Sequence, residues 1–263
     1  GSGSPIELAS VGVEALGGSI VEHWPHTGAL RSPLPTSIEW TGLRLEPATC
    51  ALVAPTLADR PCGEGPSSDA CESLSLGRAA TTDSACVRSP SWGSPLLFYR
   101  STSTALRAPL VASRLGSGDI AVRNDGDLPI PGQLVRFRRD RGWVQVVVAS
   151  QPAPHASIVV GHQFGDPALA REAVTASLTE LGLTPAEAGA FLSSWDTAFF
   201  GAAPTEMPDS EDATERAREE SPSPEESILY FLPAAAIERI ARLSFDPAPV
   251  EVRRAMAVWT ALR

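Results

Sequence analysis

Lysine is absent from these 263 residues; all 21 basic residues are arginine. That removes Schiff-base chemistry, a phosphate-loop lysine and any lysine general base. Apolar runs of about eighteen residues are also absent, so the sequence offers no membrane-spanning helix. No phosphate-binding glycine loop, Gly-x-Ser-x-Gly elbow or Cys-x-x-Cys knuckle occurs. A signal peptide is not visible either. Gly1-Ser2-Gly3-Ser4 reads as an added leader scar, which leaves room for a natural leader that has been removed.

What is present is enough apolar character for a core: 43% hydrophobic and 20% charged residues, in a length that suits one large domain or two small ones. The formal net charge is −10, but its location matters. Residues 204–226 hold nine acids against two Arg, a net of −7. The remainder carries 22 acids and 19 Arg, a net of −3. The folded part therefore has no overall field to recruit nucleic acid, whose binding rests on neutralising phosphates.

Cys50, Cys62, Cys71 and Cys86 lie within 37 residues, in a polar stretch rich in Gly, Ser and Asp that builds little core. Two disulfides would restrain such loops by constraining the unfolded chain. That points to an oxidising compartment outside the cytoplasm. Three pairings are open; the nested one, Cys50–Cys86 with Cys62–Cys71, closes a hairpin-like excursion and is preferred. Four unpaired thiols in a cytosolic protein is the alternative.

Period-two alternation is strongest between 109 and 160. "LVASRLG", "DIAVRN", "GQLVRFRR", "GWVQVVVAS" and "ASIVVGH" predict five strands separated by turn residues. "SIEWTGLRL" and "SPLLFYRSTS" add two more. After 164 the pattern becomes helical. Asp166 and Pro167 predict an N-cap and first helical position, with Leu169, Ala173, Val174, Leu178 and Leu181 on one face and Gly182 as the stop. Thr184 and Glu187 predict a capping box for a second helix, making a helical hairpin. Residues 202–227 read as an acidic disordered loop. "SILYFLP" then predicts a buried strand, "AAAIERIARL" a short helix and "VEVRRAMAVWTAL" a strand. The expected fold is mixed α+β: an antiparallel, immunoglobulin-like β-sandwich over 5–163, with a disulfide-bonded loop at 50–86. A helical hairpin and a small α+β segment follow over 164–263.

The stretch "LGLTPAEAGAFLSSWDTAFF … LYFLPAAAIERIARLSFDPAPVEVRRAMAVW" resembles the C-terminal part of uncharacterised exported bacterial proteins. Gly182-Leu183, Glu187-Ala188, Trp195, Phe199-Phe200, Tyr230 to Pro233 and Pro247-Ala248-Pro249 carry the resemblance. It covers less than 40% of the chain. It implies export and a mixed C-terminal module, and it transfers no functional residue.

Chemistry-bearing candidates are few. His23 and His26 in "EHWPHTG" have metal-ligand types near Glu22, but Pro25 between them extends the segment and splays the rings. His162 with Asp166 and a serine, the nearest being in "GSGD" at 116–119, would suggest a Ser-His-Asp hydrolase, with no nucleophile elbow to support it. Asn124-Asp125-Gly126-Asp127 has calcium-type oxygens without the spacing of a calcium loop, and the reading as a corner between strands outweighs it. Asp196 sits on the polar side of the second helix. Arg136, Arg138, Arg139 and Arg141, with Trp143 nearby, form the one basic cluster. It suits an anion, an acidic polysaccharide or the chain's own acidic run; its bland reading is a charged hairpin that discourages edge-to-edge association. Trp24, Trp40, Trp92 and Trp143 could line a carbohydrate or protein site, though such residues are more often core.

The functional expectation is a non-enzymatic exported binding or assembly module of the bacterial cell envelope, periplasmic or at the cell surface. Its partner would be a protein or a glycan, not nucleic acid, and no cofactor is expected. The rival is a secreted hydrolase using a metal or the histidines.

Overall fold

The computed structural model describes residues 4–25, 27, 33–47, 85–103, 107–140, 143–200 and 225–262. Cys50, Cys62, Cys71, His26, Arg141 and the acidic run 201–224 lie outside the described residues. The architecture is mixed α+β and β-sandwich-like, and among the described residues every ladder is antiparallel. Contacts divide the chain into two compact units, neither of them a contiguous stretch.

The first unit comprises 1–107, 189–194 and 234–252. Its strands are β1 (Ile6–Ala15), β2 (Gly18–Trp24), β3 (Ser37–Glu46), β4 (Cys86–Ser89), β5 (Trp92–Ser94), β6 (Phe98–Ser103) and β13 (Ala241–Asp246). One sheet runs in the order β13-β1-β3-β4-β5, and β2 and β6 form a separate ribbon. Alternation turns Val11, Val13 and Ala15 of β1, and Ile38 and Trp40 of β3, toward a core shared with Ile20 and Leu43. Leu243, Phe245 and Tyr99 pack against that cluster. Trp40 is 2% exposed and donates its indole N–H to the Pro25 carbonyl at 2.7 Å, so its large apolar area is buried without an orphaned donor. At roughly 150–250 Å² and about 25 cal/mol per Å², one such ring contributes about 4–6 kcal/mol before entropy is counted.

The second unit comprises 108–188, 195–233 and 253–263. β7 (Leu110–Arg114), β8 (Ile120–Asn124) and β11 (Ser157–Val160) form a sheet in the order β11-β8-β7. β9 (Gln133–Asp140), β10 (Trp143–Ser150), β12 (Glu226–Phe231) and β14 (Ala257–Ala261) form another in the order β10-β9-β12-β14. All five strands expected between 109 and 160 are present, because turn residues separate alternating runs there and tertiary context adds no conflict. Helix α1 (Pro167–Glu180) begins at Asp166, whose side chain accepts the Ala168 N–H at 2.7 Å. Helix α2 (Pro185–Phe200) begins with the expected box: the Glu187 carboxylate accepts from the Thr184 N–H at 2.7 Å, and the Thr184 hydroxyl accepts the Glu187 N–H.

Two local readings change. The short helix expected over 234–243 is one turn, α3 (Ala234–Ile237), after which the chain becomes β13. Ala241, Leu243 and Phe245 alternate and pair with Ala15, Val13 and Val11 of β1. That distant partner overrides the helical preference of the local sequence. The strand expected over 250–262 is confined to 257–261, after the prolines at 247 and 249. The break expected at 163 was a change of composition; contacts instead return the 234–252 stretch to the first unit.

Candidate functional site

β9 is buried on both faces, and that decides the fate of its arginines. Period two places Leu134, Arg136 and Arg138 on one face and Val135, Phe137 and Arg139 on the other. Arg136 is 3% exposed. Its Nε, at 2.7 Å, and its Nη2 both donate to Oε1 of Glu226, which is 7% exposed. It also donates to the carbonyls of Gly161 at 2.8 Å, Val160 at 3.3 Å and Gly118 at 2.9 Å. Arg114 takes the other oxygen of Glu226 at 3.0 Å. Arg139, on the opposite face, donates to the carbonyls of Ala198 and Phe199 at the end of α2 and lies 5.6 Å from the Trp259 ring centroid. A cation on the last carbonyls of a helix is favourably placed against its dipole.

The four-arginine cluster read from the sequence is thus divided. Arg136 spends its donors inside the unit, Arg139 fastens the end of α2 through Nη2, and Arg141 is outside the described residues. Glu226, the last acid counted in 204–226, is the first residue of β12 and meets Arg136 as part of that sheet; the run before 225 lies outside the described residues.

Arg138 and Trp143 remain at the surface. Arg138 lies 5.6 Å from the Phe164 ring centroid, and Arg136 lies 5.0 Å from it. Register opposes Gln145 to Arg138 and Trp143 to Asp140. Trp143, Gln145 and Arg138 therefore share one sheet face. Trp143 is 76% exposed and is the largest side chain so presented among the described residues.

A second group lies where Arg136 meets Gly118 and Gly161. His162 Nδ1 is 2.5 Å from Asp119 Oδ1, and the Ser117 hydroxyl donates to Asp119 Oδ2 at 2.8 Å. Hydrogen bonds from His162 and then Ser117 hold the Asp119 carboxyl below its usual range. Sequence reasoning paired His162 with Asp166, but Asp166 is the N-cap of α1 and Asp119 is the partner. An imidazole oriented by a carboxylate can accept or donate a proton at Nε2. The serine, however, is bonded to the carboxylate and not to the imidazole, so the relay of a Ser-His-Asp triad is not assembled.

The other candidates fall elsewhere. His23 is buried; its Nε2 accepts the Thr27 N–H at 2.9 Å, and its ring meets Trp40 edge-on. That lone pair is therefore committed within the first unit. Among the described residues no group of three His, Cys, Asp or Glu is placed to hold a metal. Asn124 forms the expected corner: Oδ1 accepts the Gly126 N–H at 2.9 Å, and Nδ2 donates to the Leu128 and Pro152 carbonyls. Asp125 pairs with Arg123, and Asp127 lies 3.1 Å from the His155 imidazole, so each acid of the loop has a side-chain partner within the protein. Asp196 pairs with Arg171 in the open. Trp24 and Trp40 are core, and Cys86 is fully buried at the start of β4. No described helix is long and apolar enough to cross a membrane.

Comparison with known proteins gives no matching family model, no matching curated protein and no matching solved structure.

Proposed function

We propose that this chain is a non-enzymatic, exported binding or assembly module of the bacterial cell envelope, with its contact surface centred on Trp143 and Arg138. The observation that carries the reading is the exposure of Trp143, at 76%, on the same sheet face as Arg138 and Gln145. A solvated indole leaves a large apolar area unused, and tryptophan and arginine are enriched where binding energy concentrates. Arg138 can pair with a carboxylate or phosphate, whereas Arg136, two residues along the same face of β9, has no donors left to offer. The partner is a protein or a glycan with an apolar or ring surface beside an anionic group. Export is supported by the cysteine-rich segment and by the C-terminal resemblance. The nested pairing of Cys50–Cys86 and Cys62–Cys71 belongs to the same reading, with the buried Cys86 as its anchor in β4.

Titration with acidic and neutral oligosaccharides and with envelope-derived peptides, followed by tryptophan fluorescence, tests the surface. A ligand that binds the native chain should lose at least about tenfold in affinity on Trp143→Ala, an ordinary loss of about 1.4 kcal/mol or more for a contact anchor. Arg138→Ala should weaken the acidic ligands selectively. Binding indifferent to both changes would overturn the placement. Mass measurement of the denatured, unreduced chain tests the cysteines: four hydrogens below the reduced formula is the expected result.

A further inference from the structure

β11 is a four-residue edge strand, paired only with β8. Each of its ends carries a histidine bonded to an aspartate that flanks β8. Before the strand, His155 Nε2 lies 3.1 Å from Asp127 Oδ1. After it, His162 Nδ1 lies 2.5 Å from Asp119 Oδ1. His155 has φ of 58°, a left-handed backbone that costs a β-carbon-bearing residue energy unless its surroundings hold it. Two of the four histidines in the chain are thus spent on the two ends of one short strand.

We infer that these pairs are a pH-sensitive latch that fastens β11 to β8 in mildly acidic solution and loosens it as the pH rises through neutrality. Each pair is charged on both sides only in the pH window where an imidazole carries a proton and a carboxylate does not. The lowered Asp119 carboxyl extends the acid limit downward at the His162 end. Above the window the histidines lose their charge and only a neutral hydrogen bond remains. Below it the carboxylates are protonated and the attraction is again lost.

The surrounding charges set the two ends apart. His162 faces Asp119, and Arg136 acts on that same carboxylate while bonded to Glu226, which Arg114 also holds. His155 faces Asp127 and the neighbouring Asp125, which Arg123 occupies. Arg136 also grips the Val160 and Gly161 carbonyls, and that hold does not titrate near neutrality. The His162 end therefore keeps a fastening at every ordinary pH. Loosening begins at Ser157 and Ile158.

Amide hydrogen exchange of the full chain, corrected for intrinsic rates, reads this directly. Between pH 5.5 and 8.0 the protection of Ile158 to Val160 should fall about two- to fivefold relative to β9, the range expected for exposed ion pairs. The fall should be steeper at Ile158 than at Val160. His155→Gln should flatten the pH response at Ile158, and His155→Gln with His162→Gln should abolish it along the strand. Both side chains are exposed, so the variants should fold, with thermal melting as the check. A pH-independent ratio of β11 to β9 protection in the native chain, or a pH response that survives the double variant, overturns the latch. The outcome is independent of whether Trp143 binds anything.

Discussion

At the scale of single residues, Arg136 shows how a buried charge is tolerated. Two nearly dry ions incur a desolvation cost that their attraction repays only with good geometry and satisfied donors. Here every direction of the guanidinium is used: Glu226, three backbone carbonyls and the Phe164 ring. Arg136→Met should destabilise the second unit by roughly 3 kcal/mol, the low end for a broken buried pair, because Arg114 still accompanies Glu226. Arg136→Met with Glu226→Met should recover much of that loss, since no lone charge is then buried. Urea denaturation of the two single variants and the double variant gives the coupling. A double variant as unstable as the sum of the singles would show that the pair is not acting as a unit.

Among the elements, the turn from 128 to 132 fixes where α1 meets β9. Gly132 has φ of +69°, and a β-carbon there would stand 2.3 Å from the Ser177 Oγ and 3.1 Å from the Ser177 Cα. The same hydroxyl accepts the Gln133 N–H at 3.0 Å and donates to the Ala173 carbonyl at 2.7 Å. Gly42, in β3, also has a positive φ, +61°, but nothing lies within 4 Å of its added β-carbon. Gly42→Ala should therefore cost only the backbone term, about 1–2 kcal/mol. Gly132→Ala should cost that plus roughly 1–3 kcal/mol of overpacking. Thermal melting of the two variants checks the order; equal losses would mean that α1 yields freely at Ser177. The caps of α1 and α2 and the five strands from 109 to 160 were legible in the sequence, because each rests on residues within a few positions of one another. β13 was not, because its partner β1 lies more than 220 residues away. The same distance rule governs the candidate site. Arg138 and Trp143 share a face through one hairpin's alternation, but the sequence grouped them with Arg136, Arg139 and Arg141 and did not separate the exposed from the buried. Asp119 with His162, 43 residues apart, and Arg136 with Glu226, 90 apart, needed the fold to meet. No local pattern marked Glu226, the last of nine acids in a run, as the one that enters a core.

For the molecule as a whole, the chain's return path matters more than its change of composition at 163. The first unit borrows β13 from the C-terminal third: the ladder from Ser10↔Asp246 to Ala15↔Ala241 covers the C-terminal part of one edge of β1. Without it, β1 presents an unpaired edge, and Val11 and Val13 lose Phe245 and Leu243 as core neighbours. Closing a loop of that length costs only slowly growing entropy, so the native chain can sustain the connection, but a fragment has nothing to close. Residues 4–107 expressed alone should therefore fail to give a cooperative unfolding transition, even though they contain six of that unit's seven strands among the described residues. Adding a peptide of residues 234–252 in trans should restore amide dispersion and protection in β1, at micromolar to millimolar peptide. Circular dichroism and proton–nitrogen correlation spectra decide it. A fragment that melts cooperatively by itself would mean that β13 only covers an edge; a fragment rescued by the peptide would mean that the strand is required to complete the core.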